Sequence, residues 1–191
     1  MSRKKLIIAV TGASGSVYAS RLIERVSSLE QHIEECVLIF SENGKQVWKY
    51  ELDTEPLFEQ NSVFRVANVS NMFDAVASGS AGYDTMIVIP CSMGTLARIA
   101  CGISDNLICR AADVILKEKR SLILVPREAP LSSIHLKNMS TLDSAGAVIF
   151  PASPFFYHKP KDIDSVIDSF VERIAEKIGL PSETFRWGTN D

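Results

Sequence analysis

Residues 121–132 read Ser-Leu-Ile-Leu-Val-Pro-Arg-Glu-Ala-Pro-Leu-Ser, an apolar run followed by a charged pair between two prolines. The run is continuous instead of alternating, which is typical of a strand covered on both faces of a parallel sheet. Pro126 has no backbone N–H to give to a neighbouring strand, so the strand is expected to end there. Open α/β sheets bind ligands at the carboxyl ends of their strands. Arg127 and Glu128 are therefore either site residues or a solvated ion pair, and this stretch alone leaves both open.

Similar apolar runs recur along the chain, separated by longer helix-like segments. The other runs are Leu6–Val10, Val37–Phe40, Met86–Ile89 and Ala147–Phe150, with a weaker candidate at Val63–Val66. Alternation of strands and helices predicts a parallel sheet with helices on both faces. Because no linker, low-complexity tract or internal repeat divides the sequence, residues 1–191 are expected to form one doubly wound α/β domain.

The composition is that of an ordinary soluble globular protein, with 46% hydrophobic and 23% charged residues among 191. The net charge of -3 argues against nucleic-acid binding. No apolar run reaches the roughly 18 residues of a membrane span, and the first run, which stops at Thr11, is expected to be a strand and not a signal peptide. The cysteines form no C-x-x-C pair and the histidines lack metal-ligand spacing. Reduced thiols, a cytoplasmic location and no metal site are expected.

Two loops at the same predicted sheet edge are rich in small and hydroxyl-bearing residues. Thr11–Ser16 precedes a helix predicted over Val17–Leu29, and Pro90–Thr95 follows the strand Thr85–Ile89. Amides at helix N-termini attract anions, so both loops suit the polar groups of a planar or phosphorylated ligand. Ser41, after the second strand, would either join them or cap the next helix. The first loop lacks both the P-loop lysine and G-x-G-x-x-G, and a tight turn without a ligand is its alternative explanation.

Three cations occupy positions from which they could reach an anionic ligand. Arg110 and Lys117 lie seven residues apart in a helix predicted over Asn106–Glu118, hence nearly on one face. With Asp113 between them, they equally suit a surface charge ladder. Arg173 falls at the edge of the apolar stripe of the last helix, where it either points inward at an anion or extends into solvent.

Aromatic and acidic residues give weaker signals. The segment 151–160 is rich in proline and aromatic residues, and it would either wall an apolar pocket with the Tyr157 hydroxyl as a polar group or pack against the core. Glu51 begins a segment of weak periodicity, predicted as loop, where a solvated acid is the default. Trp187 lies in a polar tail and is expected to dock on this subunit or on a neighbour.

Several blocks of the sequence, in this order and spacing, resemble one known family over nearly the whole chain. The blocks are Thr11-Gly12-Ala13-Ser14-Gly15, Ala77-Ser78-Gly79-Ser80, Pro90-Cys91-Ser92-Met93-Gly94-Thr95, Arg110-Ala111-Ala112-Asp113-Val114, Leu116-Lys117-Glu118, the stretch from Val125 to Ser132, Ile134-His135-Leu136, Asn138-Met139 and Phe156-Tyr157. The family is that of the UbiX/Pad-type flavin prenyltransferases. The set of blocks is far more specific than any one of them.

The resemblance implies a Rossmann-like, flavodoxin-type fold with three α/β/α layers, in a homo-oligomer that is typically a dodecamer. It implies transfer of a dimethylallyl group from dimethylallyl monophosphate to N5 and C6 of reduced FMN, without a metal ion. A UbiD-type decarboxylase would use the prenylated FMN. Carried over by position, the FMN contacts would come from Gly12, Ala13, Ser14, Ser41, Ser92, Met93, Gly94, Thr95 and Arg127.

The resemblance also implies a donor site and catalytic groups. Binding of the prenyl phosphate would involve Tyr157, Arg173, Arg110, Lys117 and Trp187, and catalysis would involve Glu128, Lys117, Tyr157, Glu51 and Ser14. Cations would stabilise the departing phosphate, and Tyr157 or Glu128 would supply its proton. Glu51 or the phosphate itself would accept the proton that the flavin loses. The helix and tail at about 161–191 would take part in oligomer contacts and the active site.

One position departs from the family pattern, since Gly94 stands where many relatives have lysine, so the resemblance assigns no side-chain role there. Two rival functions remain. A peptidyl-cysteine decarboxylase of the same fold would be expected to carry a Pro-Ala-Ser-Ala-Asn-Thr-like loop and a histidine in the first helix, yet residues 90–95 read Pro-Cys-Ser-Met-Gly-Thr and residues 17–29 contain no histidine. A non-catalytic FMN-binding subunit of a decarboxylase stays open, as does the choice between quinone biosynthesis and aromatic acid decarboxylation.

Overall fold

A computed structural model describes residues 3–56, 63–183, 185, 186 and 188. The strands are β1 (Lys4–Val10), β2 (Ile33–Phe40), β3 (Phe64–Ala67), β4 (Thr85–Cys91), β5 (Ser121–Pro126) and β6 (Val148–Ile149). The α-helices are α1 (Ser16–Ser27), α2 (Glu42–Leu52), α3 (Met93–Ala100), α4 (Leu107–Lys117), α5 (Ser133–Ser144) and α6 (Ile163–Lys177). Every predicted strand is present, including the weak candidate that became β3.

The strands form one sheet in the order β3-β2-β1-β4-β5-β6, and every neighbouring pair is parallel. This confirms the doubly wound α/β fold. The order reverses between β1 and β4, where the chain winds first one way and then the other. A crevice opens at such a switch point beyond the carboxyl ends of the strands, and this is where doubly wound sheets bind their ligands.

Helices cover both faces of the sheet, which explains why the strands are apolar throughout. Along β1, Leu6, Ile8 and Val10 pack on the face covered by α1 and α6, to which α2 contributes Trp48. Ile7 and Ala9 face the side of α3, α4 and α5. Successive side chains of a strand point to opposite faces, so a strand between two helical layers needs apolar residues at every position.

Two details differ from the sequence prediction. The segment at Glu51 was expected to be loop, but α2 continues to Leu52 and places Glu51 in its last turn. Only Gly44 and Trp48 of α2 are buried, so the helix carries too few apolar residues to show a period. Ile163, expected in the buried stripe of the last helix, is 77% exposed because it is the first residue of α6. Within the described ranges, no helix has the length and apolar character needed to cross a membrane.

Candidate active site

The loops that follow β1, β2, β4 and β5 meet at the carboxyl edge of the sheet. The Ser41 amide donates to the Val10 carbonyl at 3.0 Å, which joins the ends of β1 and β2. The Ser92 amide donates to the Thr11 hydroxyl at 2.8 Å, and the Arg127 Nε donates to the Ser14 carbonyl at 3.1 Å. The structure thus brings together the predicted FMN-binding residues from four separate parts of the sequence.

Two glycines allow the first loop to lie directly against the start of α2. A Cβ at Gly12 would lie 2.6 Å from the Cβ of Asn43, and one at Gly44 would lie 2.5 Å from the Val10 carbonyl oxygen. Both distances are shorter than real carbon contacts, so any side chain would push the loop and the helix apart. Gly12 was singled out from the sequence, whereas Gly44 was missed because nothing local marks a close approach.

Substitution of Gly44 by alanine is expected to open this junction. Since the clash is with backbone of a buried strand, we expect the Gly44→Ala protein to bind FMN at least about tenfold more weakly and to lose about 1–3 kcal/mol of unfolding free energy. FMN titration followed by flavin fluorescence, with thermal unfolding of the same samples, checks both. Gly102→Ala is the matched control, because a Cβ there meets nothing within 4 Å. Gly102 has a positive φ of 67°. The alanine at this position is therefore expected to lower the unfolding free energy without weakening FMN binding.

Ser41 and Ser92 serve as N-caps of the helices that follow them. The Ser41 Oγ accepts from the Gly44 amide at 3.0 Å, and the Ser92 Oγ accepts from the Thr95 amide at 3.3 Å. The Ser92 hydroxyl also lies 3.1 Å from the Thr95 hydroxyl. The capping role that the sequence left open for Ser41 is therefore present, and it directs the first turns of α2 and α3, including Met93 and Gly94, toward the crevice.

The N-terminus of α1 already holds an anion of this chain, the carboxylate of Glu51. Its oxygens accept from the Gly15 amide at 2.9 Å and from the Ser16 amide at 2.7 Å. Partial burial raises the pKa of Glu51, but hydrogen bonds from Ser14, Gly15 and Ser16 outweigh this, so the pKa lies below its ordinary value. Glu51 is thus ionised at neutral pH. The amides of Gly15 and Ser16, expected from the sequence to suit a phosphate, bind this carboxylate instead.

The charged pair after β5 is split between two environments. Arg127 is half-buried over the first loop, where its Nε contacts Ser14. That is the one hydrogen bond that Arg127 makes within the described ranges, so its terminal nitrogens remain for an anion. Glu128 is exposed, and its carboxylate accepts from the Ala129 amide at 3.1 Å. Arg127 and Glu128 therefore do not form the solvated ion pair that the sequence left open as an alternative.

Of the two cations of α4, Lys117 lies away from this edge. Lys117 ends α4 and pairs with Glu118, shortly before β5 begins. Arg127 follows the other end of β5, whose six residues span about 17 Å. Arg110 donates to the Ala77 carbonyl at 3.2 Å and to the Asp113 carboxylate at 2.8 Å. Of the surface ion pairs that the sequence allowed along α4, the Arg110–Asp113 pair is therefore present. Within one chain, Lys117 and Arg127 lie at opposite edges of the sheet.

The remaining donor-site candidates lie on the outer surface. Arg173 was expected to point inward or into solvent, and it is exposed, with its guanidinium 3.2 Å from Glu176. Tyr157 is 67% exposed, and its ring stacks on Phe155 at 6.5 Å between centroids. Trp187 lies outside the described residues.

Thiol and metal chemistry have little support at this edge. Burial raises the pKa of the Cys91 thiol, which keeps the sulfur protonated and a poor nucleophile. The described part of the chain contains no group of three or more histidine, cysteine or acidic residues arranged to hold a metal ion. The chemistry available at the crevice is that of backbone amides, hydroxyls, one arginine and carboxylates.

Comparison with known proteins agrees with this geometry. The sequence matches the Flavoprotein family over residues 1–175. It is 42% identical to the flavin prenyltransferase UbiX of Methanocaldococcus jannaschii, covering 97% of this chain and 99% of the relative. It is also 42% identical to the mitochondrial flavin prenyltransferase PAD1 of Saccharomyces cerevisiae, covering 96% of this chain and 75% of the relative.

Solved structures agree as well. AnUbiX (PadA1), solved in complex with FMN and dimethylallyl pyrophosphate, has a TM-score of 0.92 at 40% identity, over 99% of this chain and all of that one. The epidermin biosynthesis protein EpiD of Staphylococcus aureus has a TM-score of 0.54 at 21% identity, over 85% of this chain and 89% of that one, which shows a shared fold alone. The chain therefore belongs to the flavin prenyltransferase family, which confirms the family, the transferase class and the FMN chemistry expected from its sequence.

Proposed function

We propose that this protein transfers the dimethylallyl group of dimethylallyl monophosphate to reduced FMN. The allylic C–O bond breaks, inorganic phosphate leaves, and N5 of the flavin gains the carbon and loses its proton. Ring closure then adds C6–H of the flavin across the remaining double bond. Atoms and charge balance without an oxidant or a metal, and the product is prenylated reduced FMN.

The observation that carries this proposal is the convergence of the β1, β2, β4 and β5 loops on one crevice. Because the Glu51 carboxylate occupies the N-terminus of α1, the FMN phosphate belongs to the start of α2 at Ser41 and to the free terminal nitrogens of Arg127. The ring system then lies along Gly12–Ser14 and Ser92–Thr95. Cations and amides pointing at bound phosphate are the usual means of holding FMN in such folds.

The donor site is completed by a second copy of the chain. Lys117 precedes β5 and Arg127 follows it, so the two lie at opposite ends of a strand that spans about 17 Å, and the proposal assigns them to the sites of different copies. Large apolar side chains are exposed on the same chain, among them Phe73 at 100% and Ile134 at 68%. Contacts between subunits would remove such side chains from water. A UbiX-like relative from Escherichia coli O157:H7, with a TM-score of 0.87 and 37% identity over 95% of this chain and 98% of that one, is dodecameric.

Each charged group then has a task in the reaction. Lys117, Arg110 and Arg173 bind the phosphate and stabilise the charge that grows on it as the C–O bond breaks. Tyr157 or Glu128 supplies the proton that phosphate takes up on release. Glu51, ionised because of its hydrogen bonds to the first loop, is the proposed base, and the Ser14 side chain hydrogen-bonds to it. Trp187, outside the described residues, is assigned to donor binding by resemblance to the family alone.

A mixture of protein, FMN, reductant and dimethylallyl monophosphate tests the proposal. We expect the flavin to gain the mass of one isoprenyl unit, and Tyr157→Phe to slow this at least about tenfold if the phenol gives the proton. Phe155→Leu, at the ring that stacks on Tyr157, is the control for packing.

FMN that binds tightly and never gains mass would favour the second candidate function, a non-catalytic FMN-binding subunit. A UbiD-type decarboxylase as recipient of the product, and a cytoplasmic location suited to the free thiols of Cys36, Cys91 and Cys109, belong to the same proposal.

A further inference from the structure

Thr11 lies at the centre of the crevice but is hidden from it, with 1% of its surface exposed. It follows the last residue of β1 and precedes the glycine-rich loop. Buried threonines are commonly satisfied by one neighbouring carbonyl. The hydroxyl of Thr11 instead makes two hydrogen bonds across the switch point, one to Pro90 near the end of β4 and one to Ser92 directly after it.

These two bonds add to the link between β1 and β4 beyond the last pair of their ladder, where the Thr11 amide also donates to the Pro90 carbonyl at 3.3 Å. The β1–β4 ladder pairs Leu6 with Thr85 and ends at Ala9 and Val88. Pro90, two residues further along β4, has no N–H to donate. The Thr11 hydroxyl donates to the Pro90 carbonyl at 2.7 Å and accepts from the Ser92 amide at 2.8 Å. The hydroxyl therefore reaches past Pro90 and joins the end of β1 to Ser92, the first residue after β4.

The contact links two loops that are both assigned to FMN. On one side, the Thr11 carbonyl accepts from the Ala13 amide at 2.9 Å, which shapes the first loop. On the other side, Ser92 is the N-cap that sets the direction of α3 through its bond to the Thr95 amide. A change at Thr11 alters the distance between the two loops without altering any atom that touches the flavin.

We infer that Thr11 is a positioning residue for FMN, whose hydroxyl holds the Ser92–Thr95 loop at a fixed distance from the Gly12–Gly15 loop. This rests on the proposed function only in that both loops bind the flavin. Replacement of the hydroxyl by a methyl group leaves the amide of the half-buried Ser92 without this acceptor. The amide then turns to find another acceptor, and the first turn of α3 moves with it.

The test compares Thr11→Val, which has nearly the same shape, with Thr11→Ser, which keeps the hydroxyl. FMN is titrated into each full-length protein without donor, and flavin fluorescence gives Kd. We expect Kd to rise about tenfold or more for T11V and to stay within about threefold for T11S. Thr85→Val is the matched control, because Thr85 is 4% exposed at the opposite end of the same ladder. Any general cost of valine lowers the Tm of T85V while leaving its FMN affinity unchanged.

Wild-type affinity in T11V, or an equal loss of affinity in T85V, would overturn the inference. If T11V fails to fold, Thr11→Cys replaces it, since a thiol is a weak donor and acceptor. T11C is then expected to bind FMN more weakly than T11S, and equal affinities would overturn the inference. The titration contains no prenyl donor, so its result does not depend on turnover. Failure of the wild type to prenylate FMN in the separate activity assay would count against the proposed function alone.

Discussion

Lys117→Ala and Arg127→Ala, each inactive alone, are expected to regain activity when the two proteins assemble into one oligomer. In the proposed site, Lys117 belongs to the donor half and Arg127 to the flavin half, and the two lie at opposite ends of β5 in one chain. If each site joins the flavin half of one copy to the donor half of another, random mixing leaves about a quarter of the sites with both halves intact. Prenylation by co-expressed, differently tagged variants measures this directly.

A second mixture separates assembly from chemistry. Wild type mixed equally with the double variant is expected to keep about a quarter of full activity if the halves come from different copies, and about a half if they come from one chain. No recovery in the first mixture, together with half activity in the second, would place Lys117 and Arg127 in the same copy and contradict the shared site.

Removal of the Glu51 carboxylate has the second large expected effect. In Glu51→Ala the amides of Gly15 and Ser16 lose their acceptor, and α1 loses both its anion and its link to α2. We expect a loss of about 1–2 kcal/mol of unfolding free energy, as for other helix caps, and a fall in prenylation of at least about a hundredfold if Glu51 is also the base. Thermal unfolding and flavin mass are measured on the same protein.

Glu51→Gln and pH separate the two roles of this residue. The amide oxygen of glutamine still accepts from the helix, so E51Q is expected to keep most of the stability and little of the activity. The pKa of Glu51 lies below its ordinary value of 4.5, so its charge stabilises the fold above that value. This contribution is lost as the pH falls through the lower folded-state pKa. The stability gap between wild type and E51Q should therefore be full at pH 7 and shrink below about pH 4.5.

Glu42→Gln is the control for general charge effects, since Glu42 lies in the first turn of α2 and pairs with Lys45 at the surface. A gap that stays constant down to pH 3 would show that the Glu51 charge does not hold α1. Full prenylation by E51Q would remove Glu51 from proton transfer and leave its structural role intact.

The strands of the sheet could be predicted from the sequence because burial on both faces demands unbroken apolar runs. Leu6–Val10 and Leu122–Val125 are such runs. The sequence also predicted that the loops after β1 and β4 meet, since residues directly after such strands fall at one edge of a parallel sheet, and the FMN contacts assigned to these loops belong to the proposal. Thr11 was quoted with its loop but given no role, because its partners Pro90 and Ser92 are about 80 positions away. Sequence spacing cannot show a contact of that kind.

The donor half was harder to place for a different physical reason. Lys117 and Arg110 are spaced so that they lie nearly on one face of α4. Because α4 returns the chain to the start of β5, its last residue, Lys117, lies at the edge of the sheet opposite the loops. Glu51 was given a role only by resemblance, because α2 buries just Gly44 and Trp48 and shows no clear period. Its partners on α1 became visible only once the two helices were packed.

The central claim is that the crevice between β1 and β4 makes prenylated FMN, and one measurement tests it most directly. Wild-type protein is given reduced FMN and dimethylallyl monophosphate, and both the flavin mass and the released phosphate are followed over a single turnover. We predict one added isoprenyl unit and one phosphate for each flavin bound. Unchanged flavin mass in protein saturated with FMN, with or without phosphate release, would contradict the account.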